Sequence, residues 1–190
     1  MDDETGGTDL GAKSAGARDI AVPVTIFSAL RRELEKEVGT LPAVRSLHHA
    51  GYEAGTDAAA GFGSVDRDRL AQLSSSDFWS QMDRFFSRRG WGSIDHEAAH
   101  PGVGMLVSSD WAEASSGETD PEGSCSFSTG FLAGLLSALA DRPVAVLEVT
   151  CRTRGDDACR YAFGNEVVIH DLYGRMSDGS DLKQALTEIQ

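Results

Sequence analysis

Hydrophobic residues recur at helical spacing in three stretches of the N-terminal half. Pro23 to Val38, "PVTIFSALRRELEKEV", places apolar side chains about one turn apart and stops at Gly39, a residue suited to a helix C-terminus. Pro42 to about Phe62 predicts a second helix, whose small residues Gly51, Gly55 and Ala59 permit close packing. A third, Arg67 to Arg88, carries Leu70, Leu73, Phe78, Met82, Phe85 and Phe86 in an amphipathic pattern that ends before Gly90. The rhythm then shortens. Strands are predicted at Gly92 to His96 and Val103 to Ser108, joined by a loop that holds His100 and Pro101. Ser124 or its neighbourhood caps a helix over 126 to 139, in which Gly130 and Gly134 lie one turn apart and let another backbone approach. The strand "VAVLEVTC", a polar turn, "ACRYAFG" and a polar C-terminal segment with helical potential complete the chain.

Residues 96 to 100 spell "HEAAH", the pattern of zinc proteases, in which two histidines share one helix face and the glutamate acts as general base. That chemistry needs a long helix. Here Gly90-Trp91-Gly92 precede the motif and Pro101-Gly102 follow it, so barely one turn could form, and Leu106 stands where a metzincin would have its third histidine. Of the remaining carboxylates, Glu118 and Glu122 stay open as distant ligands. The five residues read as strand and loop.

The stretch "EVTCRTRGDDACRYAF", 148 to 163, is a strand pair turning at Gly155. Pairing Cys151 with Cys159 sets Val149 beside Tyr161 and Leu147 beside Phe163, with two thiols above an apolar stripe. Directly opposed side chains have Cβ atoms about 5 Å apart, near enough to share a metal. Cys125, at the start of the glycine-rich helix, is a natural third ligand, because a helix N-terminus favours thiolate. Glu148 as a fourth meets a parity difficulty. In a regular strand it points away from Cys151, and joint ligation requires a bulge or strong twist near Thr150. On spacing alone, buried hydrophobic cysteines and a solvent-facing Glu148 are the alternative.

The run "CSFSTGFLAGLLSALADRPVAVLEVTCRTRGDDACRYAFG", 125 to 164, resembles the 4-vinyl-reductase, or hydrocarbon-binding, domain family. The shared marks are a cysteine, a glycine-rich helix, a strand with Glu-x-x-Cys, a Gly-Asp turn and a final cysteine with an aromatic. "FFSRRGWGSIDH" agrees less specifically. The resemblance implies an α+β fold, an antiparallel sheet packed with helices, of the nitric-oxide-signalling and Golgi-transport ligand-binding type. That fold is shared with sensor domains of phenol- and toluene-responsive regulators and with Golgi transport-particle subunits. It further implies zinc held by Cys125, Glu148, Cys151 and Cys159, beside an apolar cavity. Phe78, Met82, Phe85, Trp91, Phe131, Leu147, Val149 and Tyr161 are the expected lining. An aromatic-binding histidine and tryptophan have no unambiguous match among His48, His49, His96, Trp91 and Trp111.

Composition narrows the function classes. A formal charge of −13 argues against nucleic acid and anionic membrane surfaces, which would repel the chain at long range. No run approaches the roughly 18 apolar residues needed to span a bilayer, and three cysteines, an odd number, suit free thiols or metal ligands in a reducing cytoplasm. Residues 1–21 read as a flexible acidic tail and 22–190 as one ligand-binding domain. "GYEAG" and "GFGS" do not follow strands as a dinucleotide fingerprint requires, so a binding module is expected rather than an enzyme. The leading expectation is a zinc-braced sensor or carrier of a small hydrophobic molecule, acting as a homodimer. The alternatives are an accessory or reductase component in the 8-vinyl reduction of chlorophyll precursors, as the family name suggests, and a trafficking-like dimeric adaptor. Arg152, Arg154 and Arg160 stand near enough in sequence to offset the charge of the metal site.

Overall fold

The structure, a computed structural model, describes residues 19–62, 72–115 and 125–189. The expected tail up to Asp19, the start of the third helix at Arg67, the Ser124 cap, Glu118 and Glu122 lie outside those residues. Three helices come first: α1 (Thr25–Val38), α2 (Thr40–Phe62) and α3 (Ser75–Ser87). Gly39, at φ 85°, breaks α1 from α2. Ser74 starts α3 later than Arg67, its hydroxyl accepting from the backbone N–H of Asp77 at 3.1 Å. Strands β1 (Asp95–His100) and β2 (Val103–Ser108) turn at Gly102, where φ is 90°. Then follow α4 (Ser126–Ala140), β3 (Ala145–Thr150), a 3₁₀ turn (Arg152–Arg154) and β4 (Cys159–Gly164). Two helices capped by Asn165 and Asp181 close the chain, α5 (Glu166–Ser177) and α6 (Leu182–Glu188). "HEAAH" is strand throughout, with His96 opposite Leu106, and a zincin helix is excluded. The strand runs four residues beyond its expected end at His96.

The four strands form one antiparallel sheet in the order β1-β2-β4-β3. Alternation along each strand gives the sheet two apolar faces. Leu106 and Tyr161, register partners, belong to a large core with Met82, Phe86, Trp111 and Leu132, on the side of α3 and α4. Met105 and Ala162, the neighbouring pair, join Ile169, Leu172 and Ala185 under α5 and α6.

Helix α4 is apolar on nearly every side and lies between α2 and the sheet. Its closeness to α2 follows from four glycines. A Cβ on Gly51 or Gly55 would strike the carbonyls of Phe127 or Phe131, and one on Gly130 or Gly134 those of His48 or Tyr52. Each helix therefore presses bare backbone into the other, as the spacing of small residues implied.

Candidate metal centre and apolar cleft

The register of β3 differs from the expected one by a single residue. Val146 pairs with Phe163, Leu147 with Ala162 and Glu148 with Tyr161, but Thr150 pairs with Arg160. Val149 is thus the extra residue of a bulge, the departure that joint ligation demanded. Leu147 and Val149 turn to the core under α5 and α6, not to the side of Phe163 and Tyr161 as the regular register had it. Beyond the bulge the chain resumes the expected phase, which brings Cys151 to the level of Cys159.

Three sulfurs and one carboxylate converge there. One ligand atom from each of Cys125, Glu148, Cys151 and Cys159 lies within 4.8 Å of all the others. Cys125 Sγ and Cys151 Sγ are 3.6 Å apart, and all three cysteines are fully buried. The backbone N–H of Cys125, unpaired within its own helix, donates to both Glu148 oxygens at 3.2 and 3.1 Å. Asp156 fixes the turn below by accepting from the Cys151 N–H at 2.7 Å. Such a donor set could hold a metal ion.

The electrostatics point the same way. Burial, with the neighbouring Cys151 thiol, pushes the Glu148 carboxyl up to about 8. Hydrogen bonds with Cys151 and Cys159, then burial, drive the Cys125 thiol far above its ordinary range, while the same sulfur contacts hold Cys159 down to about 4. A divalent cation is the partner that would let the donors ionise together. The three arginines do not all serve as counter-charges: Arg160 pairs with Asp157 at 2.8 Å and Arg154 with Asp156 at 3.9 Å, while Arg152 Nη1 is buried without a hydrogen-bond partner. Tyr161, opposite Glu148, is buried with its hydroxyl similarly unpartnered.

A second carboxyl, Glu113, was not anticipated. It accepts from the Phe127 N–H at 3.1 Å and the Ser128 N–H at 2.7 Å, so it caps α4 from a distance in sequence. Burial raises it to about 7 against the pull of those bonds. Ser128 also accepts from Trp111 Nε1 at 2.7 Å. Glu113 and Glu148 together satisfy three backbone donors at the start of α4.

At the other end of α4 opens a cleft of about 750 Å³. Its walls are Phe78, Trp79, His96, Leu139 and Phe163, over a floor at Gly104, where a Cβ would run into the Phe163 ring. His96 stacks on Trp79 at 4.2 Å and 7°, and burial lowers its pKa, so it stands as a neutral aromatic wall. Of the eight expected lining residues, Phe78 is here. Met82, Phe85, Phe131 and Tyr161 fill the buried core with Trp91 packed against it, and Leu147 and Val149 lie across the sheet. Trp111 is likewise core, and His48 and His49 sit on α2. Trp79, His100 and Arg142 were missed as lining. The "HEAAH" spacing held a usable signal, because His96 and His100 read as strand fall on one side.

Residues 112–165 match the model of the 4-vinyl-reductase domain. An uncharacterised protein of Methanocaldococcus jannaschii is 26% identical over 149 residues, 78% of this chain and 72% of its own length. Among solved structures, the phenol-responsive sensory domain of the transcription activator PoxR with phenol superposes with TM-score 0.68 at 18% identity, covering 88% of this chain and 85% of that one. A vinyl-4-reductase family protein from Methanocaldococcus jannaschii gives 0.51 at 16%, over 76% and 82% of the two chains. A trafficking protein particle complex subunit 3 from Naegleria fowleri, covalently bound to palmitic acid, gives 0.55 at 13%, over 74% and 91%. These likenesses share the α+β fold, four antiparallel strands packed with helices. The four clustered donors all fall inside the matched segment, and residues 112–165 of this chain are a 4-vinyl-reductase domain.

Proposed function

We propose that this protein binds a small hydrophobic molecule in the cleft at the end of α4, and that one structural zinc ion held by Cys125, Glu148, Cys151 and Cys159 braces the opposite end. The observation that carries the reading is the aromatic-walled cleft of about 750 Å³, within the range of small-molecule sites, in a fold shared with a sensory domain solved with phenol. Zinc fits the donors. Tetrahedral Zn–S bonds of about 2.3 Å put sulfurs ~3.8 Å apart, close to the 3.6 Å between Cys125 and Cys151. Four protein ligands leave no open position, so the metal's contribution is to the fold rather than to chemistry.

The test has two readouts. Metal analysis after purification without added zinc is expected to give one zinc per chain, lost or greatly weakened in Cys151→Ser and retained with reduced affinity in Glu148→Gln. Tryptophan fluorescence, with Trp79 in the wall, is expected to report saturable binding of toluene. Metal-free wild type whose three thiols react freely in the native state would remove the zinc half. Absence of saturable toluene binding would remove the other.

A further inference from the structure

Asp and Glu number 30 of 190 residues against 17 Lys and Arg, yet none of the side chains lining the cleft is acidic. Its one charged side chain is Arg142, just past the end of α4, which has no side-chain ion pair or hydrogen bond among the described residues. A second polar group there is also unmet. His100 lines the same cleft, and its Nδ1 is buried with no hydrogen-bond partner. Buried polar atoms are rarely left so, and a ligand atom is the natural complement of one that borders a cleft.

We propose that the cleft recognises a small organic acid, whose aryl or alkyl body packs on Phe78, Trp79 and Phe163 while its carboxylate accepts hydrogen bonds from the Arg142 guanidinium and the Nδ1–H of His100. This rests on the cleft being the ligand site and adds the charge of the ligand. A guanidinium offers a carboxylate two parallel donors, and charge-assisted bonds are the strong ones. A wholly apolar guest would strip water from Arg142 and His100 and return nothing. The acid-free lining also gives an anion a local refuge on a molecule whose long-range field repels it.

Isothermal titration of the full chain separates these possibilities, with benzoate and octanoate set against their neutral isosteres benzamide and octanamide. The acids are expected to bind about tenfold or more tightly than the amides. Arg142→Gln is expected to abolish that preference while changing amide affinity by less than about twofold, and Arg142→Lys to restore part of it. Ala98→Trp, an exposed position on the cleft, is expected to block both classes. Amides binding as well as acids to the wild type, or a preference that survives in Arg142→Gln, would overturn the inference and leave the cleft a hydrophobic site. Failure of all four probes to bind native protein would overturn the ligand site itself, and the inference with it.

Discussion

Glu113 is a carboxyl whose surroundings pull its proton in opposite directions. Two backbone N–H groups favour the charged form, and burial opposes it strongly enough to bring the group to about 7 from an ordinary 4.5. The unfolded chain therefore releases this proton at lower pH than the folded one does. Stability from this residue is complete below about pH 4.5 and declines as pH rises toward 7, by up to roughly 3 kcal/mol at 1.36 kcal/mol per unit. Glu113→Gln is expected to flatten that part of the profile, measured as urea midpoints of both proteins between pH 5 and 8. An unchanged slope would show that other groups set it. At this scale legibility depended on how far each partner lies along the chain. The cysteines were marked by their spacing and by the resemblance, whereas Glu113 meets donors 14 and 15 residues onward and leaves no local signature. Arg142 and His100 share a cleft only because β1 and the end of α4 meet in space.

Among the elements, the crossing of α2 and α4 gives the sharpest contrast. Alanine favours a helix over glycine by about 1 kcal/mol, so the sign of each substitution depends on space alone. Gly55→Ala forces a Cβ into the Phe131 carbonyl and is expected to destabilise by about 2 kcal/mol net, the overpacking cost outweighing propensity. Gly61→Ala, in the same helix with nothing within 4 Å, is expected to stabilise by up to ~1 kcal/mol. Thermal unfolding of the pair checks both directions. Both helices, β2 and the Cys151/Cys159 pair were legible, because periodicity and small-residue spacing are local properties. The β3 register was not. A bulge leaves no unique residue signature, and the one at Val149 moved Leu147 off Phe163 and Val149 off Tyr161. The expected pocket failed to assemble for the same reason and a second one: apolar helix faces look alike whether they line a space or fill it. Met82, Phe85 and Phe131 fill it.

For the whole molecule, the decisive arrangement is that α4 carries the sulfur cluster at one end and the cleft at the other. Fifteen helical residues span about 22 Å. The first turn is tied to β3 and β4 through Cys125, and the glycines press the middle against α2, while Leu136, Leu139 and Ala140 form one wall of the cleft. Such a helix is a beam clamped at its root with its tip left as a working surface. Loosening the clamp lets the tip wander, and a wandering wall holds its guest less well. Removing the metal with a chelator under conditions that keep the chain folded is therefore expected to weaken benzoate binding several-fold. By linkage, benzoate should slow metal loss to the chelator to a matching degree if that loss tracks equilibrium affinity. Titration and release kinetics on one preparation would reveal the coupling, and equal benzoate affinity with and without metal would show that the beam is held firmly enough by its middle.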